Sequence, residues 1–284
     1  MGNISNKYNI STEQDIYEAT ARGKFKQLNM TPIVGDEVEI EITDESKKEA
    51  VINSILNRKN YLKRPKSANV SQIAFVISTL NPVPDLLMLD KQLAYAEWLK
   101  ITPIIVINKI DIDTSYVEIK NIYEQIGYKV ICTSVKENLG IEDLKKALEN
   151  NLTVFSGNSG VGKSSLLNSI FQKKIVQEGE ISKKNKKGKT TTTDVKIYEL
   201  NFNTFIADTP GFSSFELIEI EARDLSQCFK EFKCEAEKCE YVGCTHIKEE
   251  NCGIKNSKKI SKQRYMNYCK IYQELKDKEF RKYK

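Results

Sequence analysis

The spacing of apolar residues divides the 284-residue chain into three stretches. Residues 1 to about 67 are short runs punctuated by turn formers. Within them Gly35-Asp36-Glu37-Val38-Glu39-Ile40-Glu41-Ile42 alternates polar and apolar with period two, as a strand with one buried face should. Val51 to Leu56 is a second apolar run, and Arg64-Pro65-Lys66-Ser67 reads as a linker. The expectation is a small all-β unit.

From about residue 68 to 218 the rhythm becomes strand, loop, helix. Ile73 to Ile77 and Ile104 to Ile107 are continuous apolar runs, the signature of strands covered on both faces of a parallel sheet. Between them Leu86, Leu89, Leu93 and Ala96 recur at helical spacing. Shorter strands are expected at Lys129–Cys132, Leu152–Phe155 and Thr204–Ala207, and helices at Ile141–Leu148 and Ser165–Phe171. This stretch is predicted to be an α/β sheet domain. Beyond about 219 strand patterns end. Leu225, Phe229 and Phe232 predict one helix, and Tyr265, Tyr268, Tyr272 and Leu275 another at the end of the chain.

Composition changes this picture in two places. The net charge of +5 is unevenly held: Lys255 to Lys284 carries 11 Lys/Arg against 3 Asp/Glu, and Lys173 to Lys189 carries 7 lysines against 2 glutamates. Such concentration is the footprint of a polyanionic partner, or, more plainly, of a solvated helix face and a polar loop. The seven cysteines, an odd number, gather mostly in the last stretch, which points to metal ligands in a reducing compartment rather than to disulfides. No run of apolar residues is long enough to span a membrane, and no secretory leader pattern opens the chain. A cytoplasmic protein is expected, with a monomer as the default.

Gly157-Asn158-Ser159-Gly160-Val161-Gly162-Lys163-Ser164 has the spacing of a phosphate loop, set between a strand and a helix that continues from Ser165. Its glycines let successive backbone N–H groups converge on phosphate oxygens at the positive end of the helix. Lys163 can reach the outer phosphates, and the Ser164 hydroxyl can ligate Mg²⁺. This loop alone does not separate ATP from GTP.

Asn108-Lys109-Ile110-Asp111 makes that choice. Guanine offers O6 as an acceptor and its 2-amino group as a donor. Asp111 can accept from the ring N–H and the amino group together, Asn108 suits the acceptor edge, and the Lys109 stem can lie against the base. Thr133-Ser134-Val135-Lys136 follows a further strand and is similar to the Ser-Ala-Lys loop that backs the base, with Val135 in place of alanine. Asp208-Thr209-Pro210-Gly211 supplies an Asp that can hold Mg²⁺ through water and a glycine N–H that can sense the γ-phosphate. Gly188-Lys189-Thr190-Thr191-Thr192-Thr193 looks like a switch segment, with Thr191 or Thr192 expected in the Mg²⁺ shell. The base-reading loop precedes the phosphate loop, the reverse of the common order. Because all these loops lie at the carboxyl edge of one sheet, a circularly permuted domain satisfies every motif at once.

Cys239-x₄-Cys244-x-His246-x₅-Cys252 gathers four soft ligands within a short segment. Three thiolates and one imidazole make a closed tetrahedral set, which indicates a structural zinc with no open position for chemistry. Cys234 is the nearest competitor; Cys132, Cys228 and Cys269 are expected to pack in the core. His246 is the sole histidine, so a metal-bound His246 leaves none for acid–base work at the nucleotide.

With these residues placed, the chain resembles the RsgA (YjeQ/YloQ-like) family of small-ribosomal-subunit-dependent GTPases. Arg22-Gly23-Lys24-Phe25, Val34-Gly35-Asp36-Glu37-Val38, the permuted loops and the cysteine cluster carry the resemblance over nearly the whole chain. It implies an N-terminal OB-fold β-barrel (residues 1–67), a circularly permuted P-loop GTPase domain (68–218) and a C-terminal helical zinc-binding domain (219–284). It also implies late maturation of the small subunit through contact with its 16S rRNA, with GTP hydrolysis stimulated by the subunit. Two positions depart from expectation. Phe212 stands where many GTPases place a water-orienting Gln, as in the hydrophobic-substituted GTPases to which the family belongs. Thr190 stands where many family members have a His proposed to help catalysis, so no catalytic residue carries over, and Thr190, Thr191 and Thr192 are the candidates for orienting water. Competing readings are a permuted GTPase of large-subunit assembly, and an RNA-binding protein that holds GTP but barely hydrolyses it.

Overall fold

The computed structural model describes residues 7–23, 25, 30–63, 66–172, 196–201, 203–208 and 220–282. The chain clusters into two compact units, Met1–Gln72 with Ala147–Phe155 and Gly179–Phe212, and Ile73–Lys146 with Ser156–Glu178 and Ser213–Lys284.

In the first unit, β1 (Lys7–Ser11), β2 (Ile16–Ala21), β3 (Val38–Asp44) and β4 (Glu49–Ile55) form a four-stranded sheet in the order β1-β2-β4-β3. Neighbours β1–β2 and β3–β4 run antiparallel, while β2–β4 is parallel. Inward residues of β2 and β4 meet over Tyr17, Ala19, Phe25, Ala50 and Ile52, with Val38 and Ile40 packed against them. The period-two alternation holds through Ile40 and fails at Ile42, which is 47% exposed. The ladder shifts register on both sides of Ile40–Ile42, and that rotates the last apolar residue out of the core. The segment read as a linker also differs: β5 (Tyr61–Lys63) pairs with β6 (Lys66–Ala68), and Ser67 is fully buried.

Six further strands form a second sheet: β7 (Gln72–Ser78), β8 (Thr102–Asn108), β9 (Lys129–Thr133), β10 (Leu152–Ser156), β11 (Lys196–Asn201) and β12 (Thr204–Asp208). Their order is β11-β12-β10-β7-β8-β9. The pairs β8–β9 and β10–β12 are parallel, and β11 returns antiparallel at one edge. Every residue of β7 is buried, as are all of β8 after Thr102, so their continuous apolar runs mark a sheet covered on both faces.

The helices are α1 (Leu86–Trp98), α2 (Tyr116–Gln125), α3 (Ile141–Leu148) and α4 (Lys163–Phe171). Asp85 caps α1 by accepting the Met88 N–H at 2.9 Å. α2 was not legible because only Ile119 and Tyr123 point inward from it. Past residue 219 the single helix expected over Leu225–Phe232 is two pieces, a 3₁₀ turn (Ala222–Cys228) and α5 (Phe232–Ala236). Phe229 between them is extended, at φ −108° and ψ 102°. Phe229 and Phe232 both pack on Tyr268, with ring centroids 5.2 and 4.8 Å away. The last helix, α6 (Lys262–Lys282), buries Arg264, Asn267, Tyr268, Ile271 and Leu275, so its inward stripe contains two polar residues; Tyr265 and Tyr272 are only half-buried. Among the described residues no helix is long and apolar enough to cross a membrane.

Candidate nucleotide site and metal cluster

Gly157–Gly162 links β10 to α4, so Lys163, Ser164 and Ser165 form the first turn of that helix, where the positive end of the helix dipole favours an anion. The loop holds its shape through glycines. A Cβ on Gly157 would stand 2.2 Å from the Val76 carbonyl oxygen, and one on Gly162 (φ 94°) only 2.4 Å from Asn108 Nδ2. The Lys163 ammonium donates to the carbonyls of Gly157 and, at 3.0 Å, of Asn158, which keeps it over the loop.

Asn108 is the last residue of β8 and is 2% exposed. Its Nδ2 donates to the Val161 carbonyl at 2.9 Å, and its Oδ1 accepts the Thr133 hydroxyl at 3.1 Å. The base-side loop, the phosphate loop and the Thr133–Lys136 loop thus share one buried amide, although they are far apart in sequence. Sequence reasoning gave Asn108 to the base edge; in the structure each half of its amide already has a protein partner. Lys109, at φ 63°, crosses the phosphate loop and donates to the carbonyls of Asn81 (2.6 Å) and Gly160 (2.7 Å). Its own carbonyl accepts the Thr79 hydroxyl at 3.0 Å. Thr79 and Asn81 belong to no recognisable motif, and nothing in their spacing marks them; Thr133 opens the Thr133–Lys136 loop, but nothing in that motif announces its bond to Asn108.

Asp111 is oriented from one side. Its Oδ1 accepts the buried Ser134 hydroxyl at 2.6 Å, and Lys136 Nζ lies 4.0 Å from Oδ2. The Ser134 bond foremost, with the Lys136 and Lys109 charges, lowers its pKa below the ordinary carboxylate value. An ionised Asp111 is a pure acceptor, the state that a two-donor base edge requires. Ser134 therefore backs Asp111 with its side chain. The Ile110 N–H donates to the Thr133 carbonyl at 3.2 Å, and Val135 accepts the Asn138 N–H at 3.4 Å. Asp208 ends β12, beside β10. Its side chain, together with Gly211, Phe212, Thr190, Thr191 and Thr192, lies outside the described residues.

The cysteine cluster comes together with the ligand atoms of Cys239, Cys244, His246 and Cys252 all within 4.8 Å of one another. Cys239 Sγ lies 3.9 Å from Cys252 Sγ, and His246 Nδ1 lies 3.5 and 3.4 Å from those sulfurs. A tetrahedral zinc with ordinary bond lengths separates two sulfurs by roughly 3.8 Å and a sulfur from a nitrogen by about 3.6 Å, so the donor set fits that ion. Burial lowers the His246 pKa, which keeps its nitrogen lone pair available. Around the ligands, Tyr265 and Tyr268 donate to the carbonyls of His246 and Thr245, each at 2.8 Å, and the Lys255 N–H points at Cys252 Sγ at 3.5 Å. Burial pushes the Glu249 carboxyl up, but the N–H groups of Thr245 and Ile247 and the Thr245 hydroxyl bind its charged form and hold it near about 2. Cys234 is exposed and outside the cluster; Cys228 is buried, and Cys132 and Cys269 are half-buried.

Known proteins match this chain over nearly its whole length. The family model for the RsgA GTPase matches residues 55–218, and that for the RsgA N-terminal domain matches residues 1–52. A protein of Ruminiclostridium cellulolyticum named small ribosomal subunit biogenesis GTPase RsgA is 40% identical over 93% of this chain and 88% of its own length. One of the same name from Caldanaerobacter subterraneus is 39% identical over 99% and 96%. The crystal structure of YjeQ from Thermotoga maritima superposes with a TM-score of 0.81 at 35% identity, covering 95% of each chain. That of YloQ, described as a circularly permuted GTPase, gives 0.81 at 29% identity over 98% of this chain and 93% of its own. The chain belongs to the RsgA family of circularly permuted GTPases, enzymes that hydrolyse GTP, and carries the family's OB-like N-terminal sheet and a C-terminal cluster that fits zinc.

Proposed function

We propose that this chain binds the small ribosomal subunit through its 16S rRNA and assists its late maturation, hydrolysing GTP to GDP and phosphate with stimulation by the subunit. One observation carries the nucleotide half of this reading: Asn108 joins the guanine-type loop to the phosphate loop across the inverted chain order. The partner half is supported by the name shared by relatives that align over nearly the full chain. It is supported too by the basic composition of the last 30 residues.

In this reading Asp111 accepts from the guanine ring N–H and 2-amino group, backed by Ser134 and Val135, while Lys109 and Ile110 border the base. Asn108 holds the two loops in register rather than reading the base alone. Gly157, Asn158, Ser159, Gly160, Val161 and Gly162 present N–H groups to the phosphates, with Lys163 on the outer ones. Ser164, Thr191 and, through water, Asp208 hold Mg²⁺, with Ser165 behind Ser164 and Gly211 sensing the γ-phosphate. Phosphoryl transfer of this kind is catalysed by positioning and charge stabilisation, both of which these loops supply. With His246 committed to a metal, the attacking water is left to Thr190, Thr191 or Thr192, to backbone, or to the subunit. Cys239, Cys244, His246 and Cys252 hold one structural Zn²⁺, which would fix the loop that they share. Residues 1–67, 68–218 and 219–284 serve as OB-fold RNA-binding, GTPase and zinc-binding domains. The protein acts as a monomer in the cytoplasm.

Three measurements test this reading. Multiple-turnover GTPase rates with and without purified small subunits should differ by roughly tenfold or more, about 1.4 kcal/mol of barrier; equal rates would contradict subunit stimulation. Asp111→Asn exchanges an acceptor for a donor at one carboxylate oxygen. GTP affinity should fall roughly a hundredfold or more, with binding regained for xanthosine triphosphate, whose 2-oxo group accepts. Unchanged preference for guanine would remove Asp111 from the base site. Metal analysis should give about one zinc per chain, and Glu249→Gln should speed zinc loss to a chelator by about tenfold by freeing the backbone around His246; a metal-free native protein would refute the assignment.

A further inference from the structure

An ionic cluster outside the nucleotide loops is buried against α1. Asp90 and Arg264 are 0% and 1% exposed. Arg264 donates from Nη1 to Asp90 Oδ1 at 2.5 Å and forks onto Glu231, from Nε at 2.8 Å and Nη2 at 3.0 Å. Asn267 Nδ2 donates to Asp90 Oδ2 at 2.7 Å, and the Tyr123 hydroxyl to Asp90 Oδ1 at 2.7 Å. The guanidinium also lies 4.5 Å from the Phe229 ring centroid. Four pieces of chain, α1, α2, the segment before α5 and α6, therefore converge on one guanidinium–carboxylate pair. Two outer pairs also tie α1: Glu97, on the same side as Asp90, with Lys230 at 3.1 Å, and Lys91, about a quarter turn round, with Glu274 at 2.6 Å.

The other side of α1 belongs to the nucleotide loop. A helix advances 100° per residue, so Gln92 points away from Asp90. Gln92 Nε2 donates to Ser156 Oγ at 3.4 Å, one residue ahead of Gly157. Met88, Leu89 and Gln92 line a small cavity whose remaining wall includes Gly157, Asn158 and Val161. A helix held on one side by a desolvated ion pair has little freedom to tilt, because either charge left without its partner is strongly disfavoured in the interior.

We propose that α1 is a rigid lever coupling occupancy of the phosphate loop to the seating of the last helix, with the Asp90–Arg264 pair as its joint. A ligand that orders Gly157–Ser164 braces the Gln92 side of α1, and the clamp passes that restraint to α6, the most basic helix among the described residues. Coupling of this kind is reciprocal, so whatever engages α6 changes nucleotide affinity by the same factor. The inference rests on reading Gly157–Ser164 as the nucleotide loop.

Hydrogen exchange of the full chain, with and without saturating GDP, tests it. In the parent protein GDP should slow amides of both 157–171 and 262–282, the latter by about fivefold or more. In Asp90→Asn, GDP should still protect 157–171 but leave 262–282 at its nucleotide-free rate. If Asp90→Asn does not fold, Gln92→Ala, which spares the clamp, is read in the same way. A last helix that ignores GDP in the parent, or responds equally in the variant, overturns the lever. Failure of GDP to protect 157–171 overturns the phosphate-loop reading and the lever with it.

Discussion

The nucleotide site depends on a single buried amide. Asn108 holds the Val161 carbonyl with one atom and the Thr133 hydroxyl with the other, in a place that is 2% exposed. Each partner is itself buried or fixed in a loop, so losing the amide would strand polar groups where water cannot replace it. Gly162 must lack a side chain because that amide occupies the space. Chain order becomes irrelevant to the site: the loops are registered by a hydrogen bond across the sheet edge, not by the connection between them. That is why the phosphate loop can follow the base loop without spoiling either.

The parts legible in the sequence are those where backbone chemistry dictates residue type. Glycines at 157, 160 and 162, the Asn–Lys–x–Asp set and the Cys–His spacing each answer a local geometric demand, and β7 and β8 announce themselves by unbroken apolar runs. What escaped was settled by tertiary pairing. Nothing in the sequence pairs Asp90 with Arg264 until the fold places them against each other, and α6 turns Arg264 inward, with Asn267, in a stripe that the sequence pattern assigns to tyrosines. Phe229 stands extended between two short helical pieces and packs on Tyr268, far along the chain, a contact that local periodicity does not reveal. Ile42 leaves the core because of a register shift, which no single-residue preference reveals.

The second part of the chain is built on contrasting polar devices. At the cysteine cluster soft ligands converge within 4.8 Å, and the surrounding carbonyls and N–H groups are tied by Tyr265, Tyr268 and Glu249. Beside it, the Asp90–Arg264–Glu231 cluster joins α6 to α1. Neither buried network brings the area of a large apolar core; both fix orientation, and orientation is what phosphoryl transfer demands of its scaffold.

The central claim is that Asn108 assembles the permuted site. Its most direct test is the GDP affinity of Asn108→Ala, set beside the thermal unfolding of the same variant. The account predicts a folded protein whose GDP dissociation constant rises roughly a hundredfold, about 2.7 kcal/mol, because the loops lose their common anchor. A folded Asn108→Ala protein that binds GDP within about twofold of the parent would contradict it.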